Sequence, residues 1–126
     1  NDRMIGNIAN NTLKGGKGAD TYWGVGGANT YAYDKVSDST YDQCDVIMDF
    51  VSGRDKIDLR VMIKDANTTF RFVNAYTGRI GDTIVKFNPQ SGKYFVGVDM
   101  TGNRQTDFLV KSARPLKPED LIGLGA

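Results

Sequence analysis

Aspartate and asparagine recur at a fixed spacing among the glycines near the start of the chain. Divided into nines, residues 6–32 read GNIANNTLK, GGKGADTYW and GVGGANTYA. The sixth position of each nine is Asn11, Asp20 or Asn29, and Asp2 takes the same position in a partial copy before them. Carboxylate, amide and backbone oxygens are the hard ligands that calcium prefers, about six to eight of them at about 2.3–2.6 Å. These residue types could therefore supply oxygen ligands to calcium (Ca2+), and we expect a binding role rather than a catalytic one.

Glycines and one apolar residue complete each nine. Glycine permits positive φ angles, so a short loop can turn tightly and direct its backbone carbonyls inward. Position eight is always apolar or aromatic, and it is filled by Met4, Leu13, Tyr22 and Tyr31. We expect each of these side chains to point inward from a short strand, so that stacked copies form a narrow core. A flexible glycine-rich linker has a similar composition, but it would not carry an apolar residue at every ninth position.

If the stacked copies wind into a roll, two nines would make one full turn of it. Loops two nines apart would then lie on the same side. Asp2 and Asp20 then fall on one edge, and Asn11 and Asn29 fall on the other. Asparagine offers a neutral oxygen, and ligand charge is one of the factors that set calcium affinity. We therefore predict a stronger calcium site between the Asp2 and Asp20 loops than between the other two.

A different pattern begins after the repeats. The runs DVIMDF and DKIDL alternate apolar and acidic residues, which is typical of half-buried strands. Asp38 and Asp45 lie in the polar segment that follows the last repeat, and they could fold back as ligands for a calcium ion at the end of the roll. Asp38 could instead cap a turn through its side chain. Solvated or turn-stabilising roles are expected for Asp49, Asp55 and Asp58.

The second half of the chain contains four further strand candidates: FRFV, DTIVKF, KYFVGVDM and DFLVK. Turn-forming runs such as NPQSG and DMTGN separate them, a spacing that suits an antiparallel sandwich. Asp99, Asn103 and Asp107 could form another calcium loop, but we favour ordinary turn chemistry for them. The segment LKPEDLI, with Pro118 near its start, predicts a short terminal helix.

Composition excludes several classes of function for this chain. It has 126 residues and no histidine, so neither an HExxH zinc site nor a histidine-dependent triad is available. Cys44 is the single cysteine, which rules out an internal disulfide. The 16 basic and 15 acidic residues nearly balance and the basic ones are scattered, so a nucleic-acid partner is not expected. No apolar run is long enough to predict a transmembrane helix.

The motifs together resemble a known family. The GGxGxD repeats followed by TYAY, DS and DxIxDFxxGxDKIDL resemble the RTX-containing C-terminal domain of serralysin-type secreted zinc metalloproteases, and the similarity continues through FRFVNAYTGRIGDTIVKF and VDMTGNRQTDFLV. The resemblance implies an all-β fold, with a short parallel β-roll of calcium-binding nonapeptides packed on a C-terminal antiparallel β-sandwich. It also implies secretion to the extracellular space by a type I export machinery, and folding triggered by extracellular calcium. Zinc would belong only to an upstream protease domain, and this chain would not be an enzyme.

The resemblance also implies a division of the chain and a set of metal ligands. Residues 1–37 would be the end of the roll, and residues 38–126 a capping β-sandwich region with a tail like a secretion signal. The chain ends in EDLIGLGA, in which Asp120, Leu121 and Ile122 would be the remnant of that signal. The implied ligands are loop carbonyls and polar side chains, at Asp2, Asn11, Gly15, Gly16, Gly18, Asp20, Gly24, Gly26, Gly27, Asn29, Asp38 and Asp45.

A calcium-dependent carbohydrate-binding module, like those attached to polysaccharide-modifying enzymes such as alginate epimerases, is the alternative. Exposed aromatic rings would then stack on sugar rings, and Trp23, Tyr22 and Tyr76 are the candidates. The position of Tyr22 in its repeat favours a core role for that ring.

Overall fold

The computed structural model describes residues 3–14 and 16–125. Within them the chain forms eleven short strands and one seven-residue helix. In chain order these are β1 (Arg3–Ile5), β2 (Thr12–Leu13), β3 (Thr21–Trp23), β4 (Thr30–Ala32), β5 (Asp45–Ile47), β6 (Lys56–Asp58), α1 (Arg60–Ala66), β7 (Arg71–Phe72), β8 (Asp82–Asn88), β9 (Lys93–Asp99), β10 (Phe108–Ser112) and β11 (Leu121–Ile122). Single 3-10 turns lie at Val36–Asp38 and Pro118–Asp120. No helix in the described ranges is long and apolar enough to cross a membrane.

The first six strands alternate between two parallel sheets and form a roll. Strands β1, β3 and β5 pair in one sheet, and β2, β4 and β6 pair in the other. Met4 lies opposite Tyr22 in register, and Leu13 lies opposite Tyr31. The prediction that two nines make one turn is therefore confirmed. The last turn is longer, because Tyr22 pairs with Ile47 and Tyr31 pairs with Ile57, beyond the repeats.

The position-eight residues fill the space between the two sheets. Tyr22 and Tyr31 are almost completely buried, with ring centroids 5.5 Å apart in an edge-to-face arrangement. Ile47, Phe50 and Ile57 continue this column of fully buried side chains into the last turn. Burying a large apolar side chain contributes roughly 1.5–3 kcal/mol. This burial explains how strands of two or three residues stay assembled, and it confirms the inward direction predicted for position eight.

Strand β10 connects the roll to the antiparallel part of the fold. It pairs parallel to β5 on one side and antiparallel to β9 on the other, and β9 continues into β8 and β7. The result is one seven-stranded sheet in the order β1-β3-β5-β10-β9-β8-β7. The predicted all-β class, with a parallel roll followed by antiparallel strands, is confirmed. The boundary at residue 37 remains a prediction, and the strands β5 and β6 beyond it still belong to the two sheets of the roll.

The end of the chain folds back onto the roll. Strand β11 pairs parallel to β6 and forms the edge of the four-stranded sheet β11-β6-β4-β2. Asp120 is completely buried and accepts hydrogen bonds from Ser52 Oγ (2.6 Å), Gly53 N (2.9 Å) and Lys117 N (2.9 Å). The predicted terminal helix is therefore only a 3-10 turn, since the chain extends to pair as β11 directly after it. The helix α1 was not predicted, and it anchors itself through the buried Met62.

Candidate metal centre

The loop ends of the roll carry two columns of stacked polar side chains. The Asn column, at the starts of β2, β4 and β6, consists of Asn11, Asn29 and Asp55. The Asp column, at the starts of β3 and β5, consists of Asp20 and Asp45. One contact repeats in both columns: the backbone N–H of each residue donates to Oδ1 of the next. The donor–acceptor distances are 3.1 Å from Asn11 to Asn29, 2.9 Å from Asn29 to Asp55 and 2.9 Å from Asp20 to Asp45.

In the Asn column, the side-chain amides donate hydrogen bonds to the carbonyls of their own loops. Asn11 Nδ2 lies 2.8 Å from Ala9 O, 3.3 Å from Asn7 O and 3.1 Å from Asn29 Oδ1. Asn29 Nδ2 lies 3.1 Å from Gly26 O and 3.5 Å from Gly27 O. Loop carbonyls that a cation could bind are thus engaged by amide hydrogens.

The two loops of the Asn column also pack directly on each other. Gly27 has a φ of 74°, and a Cβ added there would lie 2.5 Å from Ala9 O, so only glycine fits this position. The backbone N–H of Ala28 donates to Asn10 Oδ1 at 2.7 Å. At the start of the second loop, the N–H groups of Gly24 and Val25 each donate to one carboxylate oxygen of Asp49, both at 2.8 Å. The turn-stabilising role expected of Asp49 is therefore confirmed.

The Asp column consists of two buried carboxyl groups. Asp20 is 1% exposed and Asp45 is completely buried. Asp45 Oδ2 accepts hydrogen bonds from Tyr33 Oη at 2.9 Å and Tyr22 Oη at 3.4 Å. The pKa of Asp45 is raised to about 7, mainly because the group is buried; hydrogen bonds from Asp20 N and Tyr33 act to lower this pKa, and the nearby charge of Asp20 acts to raise it. Within the described ranges, no lysine or arginine forms an ion pair with Asp45.

The donor set of the Asp column suits calcium. The Asp20 loop has positive φ angles at Gly16 (70°) and Gly18 (96°), as expected for a tight turn that exposes carbonyl oxygens. Buried carboxylates beside such carbonyls are hard oxygen ligands. No group of three His, Cys, Asp or Glu side chains that could hold a metal occurs in the described part of the chain.

The remaining predicted ligands lie elsewhere or form other contacts. Asp2 and Gly15 fall outside the described residues. Asp38 Oδ2 accepts hydrogen bonds from the N–H groups of Asp34 (3.3 Å) and Lys35 (3.2 Å), in the 3-10 turn at the end of the repeats. The capping alternative describes these contacts, and a ligand role for Asp38 stays a prediction.

Asp55 has the turn-stabilising role that was one of its two predicted roles. The solvated alternative is wrong, because the side chain is completely buried. Its two oxygens accept hydrogen bonds from Asn29 N at 2.9 Å and Val51 N at 2.8 Å, so it closes the Asn column and stabilises a turn at once. The sequence signal that could have indicated this burial is the position of Asp55 in DKIDL, directly before a strand.

The Asp99 loop forms a turn through its own backbone. Asp99 accepts hydrogen bonds from the N–H groups of Thr101 (3.1 Å), Gly102 (2.8 Å) and Arg104 (2.8 Å). Asp107 accepts one from Met100 N at 2.7 Å. These contacts agree with the turn chemistry that the sequence favoured for this segment.

The fold is shared with repeat modules of known structure. The chain superposes on the solution structure of the AlgE6R3 subunit from the Azotobacter vinelandii mannuronan C5-epimerase with a TM-score of 0.66 and 22% identity, covering 95% of this chain and 66% of that one. The AlgE6R2 subunit gives a TM-score of 0.65 at 18% identity, covering 95% of this chain and 86% of that one. The class of protein is therefore a β-roll repeat domain.

Sequence comparison identifies the family. Residues 4–122 match the family described as Peptidase M10 serralysin C terminal. The metalloprotease AprA of Pseudomonas entomophila is 38% identical over 95 residues, and the serralysin of Photorhabdus luminescens is 35% identical over 135. The chain belongs to the serralysin C-terminal domain family, which is the non-catalytic part of these proteases.

The matched relatives are much longer proteins. The alignments cover 74% of this chain and 20% of the Pseudomonas protein, and 97% of this chain and 28% of the Photorhabdus protein. The chain thus spans 20% and 28% of the length of these two relatives.

Proposed function

We propose that this chain is a non-catalytic calcium-binding domain that supports the folding, stability and type I secretion of an extracellular zinc metalloprotease. Its partners would be an upstream protease domain, which would hold the zinc, and the export machinery. The Asp column would hold calcium, with Asp20, Asp45 and the carbonyls of Gly16 and Gly18 as the proposed ligands. The observation that carries the proposal is the burial of two carboxylates beside a glycine loop.

Binding of calcium would supply part of the folding free energy. The unfolded chain has no assembled site, so the binding free energy appears as stability of the folded state. Without a cation, the buried charge of Asp45 opposes folding, as its raised pKa indicates. A ligand at about 100 times its dissociation constant contributes roughly 2.7 kcal/mol.

Calorimetry and circular dichroism, with and without calcium, test this proposal. We expect calcium to bind, to raise the thermal midpoint and to increase β content, and a chelator to reverse all three. Magnesium at the same concentration is the control, since it demands a near-octahedral site and gives up its water reluctantly. An unchanged β content and midpoint in excess chelator would contradict the proposal.

The folded position of the C-terminal segment bears on export. Asp120 and Leu121 are buried, and β11 is hydrogen-bonded to β6. If this segment carries the export signal, the exporter would read it before the domain folds. A secretion assay of the chain in cells with a type I exporter tests this. Replacing Leu121 and Ile122 by serine should abolish export, and export at the unsubstituted level would contradict the assignment.

A groove on the antiparallel part favours carbohydrate binding as a second candidate function. Its cavity of about 320 Å³ is lined by aromatic and basic side chains that include Tyr41, Tyr94, Phe95, Lys93 and Lys111, and no acidic residue lies among the described lining residues. Aromatic faces beside ammonium groups suit a sugar that carries carboxylates. Of the rings proposed from the sequence, Tyr22 is 1% exposed and cannot stack on a sugar.

Calorimetric titration with alginate oligomers tests this second function. Saturable binding that is lost in a Lys93→Gln, Lys111→Gln variant would support it. Lys86→Gln, an exposed lysine on β8 outside the groove lining, is the matched control. The absence of saturable binding by the unsubstituted chain would contradict it.

A further inference from the structure

We propose that the Asn column binds no calcium, because the side-chain amide nitrogens of Asn11 and Asn29 occupy the place that a metal ion would take. Calcium would then be confined to the Asp column, and one edge of the roll would be closed by protein hydrogen bonds alone. This inference rests on the proposed function and narrows it, since it states which of the two edges is the metal site.

The orientation of the Asn29 amide follows from a backbone donor, and that of the Asn11 amide follows from the oxygens around its Nδ2. Asn11 N can only donate, and its partner at 3.1 Å is Asn29 Oδ1. The oxygen of the Asn29 amide therefore faces the Asn11 loop, and its nitrogen faces Gly26 O and Gly27 O. A reversed Asn29 amide would set Nδ2 against a backbone N–H and Oδ1 against two carbonyl oxygens.

The atoms that surround Asn11 Nδ2 are oxygens, the kind of atom that would coordinate a cation. Three oxygens surround this atom, Asn7 O at 3.3 Å, Ala9 O at 2.8 Å and Asn29 Oδ1 at 3.1 Å. Calcium would require oxygens at about 2.3–2.6 Å from a common centre, and it would require the amide nitrogen to leave. The two amide hydrogens carry partial positive charge and are shared among these three oxygens without an ion.

The Asp column cannot close in this way. The backbone N–H of its position-six residue, Asp20, donates to Asp45 Oδ1 at 2.9 Å, as the corresponding N–H groups do in the Asn column. An ionised carboxylate has two acceptor oxygens and no hydrogen, so it cannot donate to the carbonyls of its own loop. A cation can bridge the carboxylate and the carbonyls of the loop that carries it. The Asn column needs no cation, because its amides donate to the loop carbonyls directly.

The two edges should consequently respond to calcium in different ways. The Asn edge would form whenever the two sheets pack, while the Asp edge would need the ion to offset its buried charge. Asp55 fits this difference, because Arg54 Nε lies 3.3 Å from its Oδ1 and offsets its charge without a metal ion.

Side-chain amide exchange measured by NMR on the unsubstituted chain at saturating calcium is the direct test. A ligating asparagine coordinates through Oδ1 and leaves its NH₂ group free. We expect instead that the NH₂ groups of Asn11 and Asn29 exchange with solvent at least roughly tenfold more slowly than that of Asn103. Asn103 is exposed and uses only its Oδ1, as an acceptor for Gln105 N. Exchange as fast as that of Asn103 would overturn the inference.

Calcium stoichiometry provides the second measurement. Asp20→Asn should lose the calcium bound by the unsubstituted chain, and unchanged binding would overturn the confinement to the Asp column. Asn11→Asp with Asn29→Asp should gain bound calcium, and Asn103→Asp, which adds a carboxylate away from the roll, should not. No gain in the double variant would overturn the idea that the amides stand in for the metal.

The outcomes separate this inference from the function on which it rests. If the unsubstituted chain binds no calcium, the proposed function fails. If it binds calcium with fast-exchanging Asn11 and Asn29 side chains, the proposed function stands and only the present inference fails.

Discussion

The two columns of the roll are built from degenerate copies of one nonapeptide, and position six separates them, with asparagine in one column and aspartate in the other. In both, the backbone N–H of the position-six residue donates to the carboxylate of an aspartate from the segment after the repeats. The Asn column carries amides that also donate to their own loop, whereas the Asp column carries a buried carboxylate that cannot. Exchanging one NH₂ group for one oxygen thus removes the donor with which an asparagine side chain binds the carbonyls of its own loop.

The aspartates that close the two columns show the same contrast. Asp55 accepts a second backbone hydrogen bond from Val51 and lies 3.3 Å from the side-chain Nε of Arg54. Asp45 accepts its further hydrogen bonds from tyrosine hydroxyls, and burial raises its pKa to about 7. The Asn column therefore ends on a compensated charge, and the Asp column ends on one that opposes folding when no cation is bound.

The largest difference between the columns should follow from alanine substitution of a loop glycine. Gly27 and Gly16 have φ angles of 74° and 70°, so alanine costs backbone strain of about 1–2 kcal/mol at either site. At Gly27 the new Cβ would lie 2.5 Å from Ala9 O, and at Gly16 it would meet nothing within 4 Å. We expect Gly27→Ala to lower the free energy of unfolding by a further 1–3 kcal/mol, roughly the cost of overpacking.

Urea denaturation of both variants at saturating calcium measures this difference. Gly92→Ala is the control, since its φ is also 70° with nothing within 4 Å, outside the roll. Equal losses at Gly27 and Gly16 would mean that the loops of the Asn column are not in direct contact.

The repeat part of the fold was predictable because its period is visible in the sequence. Tyr22 and Tyr31 recur at position eight, and the same period puts Asp20 and Asn29 on opposite edges. Hydrophobic period and glycine spacing are local signals, so they fix the register of the roll without knowledge of the rest of the chain.

The parts that could not be predicted depend on contacts distant in sequence. The burial of Asp55 results from its contact with Asn29, which is 26 residues away. The pairing of β11 with β6 depends on Asp120, whose partner Ser52 is 68 residues away. The amide contacts of Asn11 and Asn29 with their loop carbonyls are also not visible in the sequence, because the residue type alone does not tell which end of an amide faces those carbonyls.

A second test of the difference between the columns is to replace the aspartate that ends each one, Asp45 or Asp55, by the uncharged asparagine. Because the folded-state pKa of Asp45 is about 7 and its ordinary value is 3.8, the penalty for its ionised form is full above pH 7 and absent below pH 3.8. In chelator at about pH 8, Asp45→Asn should therefore raise the free energy of unfolding by roughly 1–3 kcal/mol. The amide keeps an acceptor for Asp20 N, and the tyrosine hydroxyls can accept its hydrogens.

Asp55→Asn should have the opposite sign. Both of its oxygens accept backbone N–H groups, so an amide leaves one donor facing a donor and costs roughly 1–3 kcal/mol. Chemical denaturation of both variants in chelator, repeated at about pH 5, checks the prediction, because the gain from Asp45→Asn should shrink at the lower pH. A loss of stability in Asp45→Asn at about pH 8 would show that its charge does not oppose folding.

The smallest effect is expected at the surface of the roll, where charge is solvated. Lys14 Nζ lies 3.3 Å from Asp34 Oδ2, and the two side chains are 53% and 41% exposed. Exposed ion pairs contribute at most about 1 kcal/mol and are screened by salt. Lys14→Gln should therefore change the free energy of unfolding by less than about 0.5 kcal/mol in roughly 0.5 M salt. Urea denaturation at low and high salt measures this, and a loss comparable with that of Asp55→Asn would mean that burial is not what separates the two columns from the surface charges.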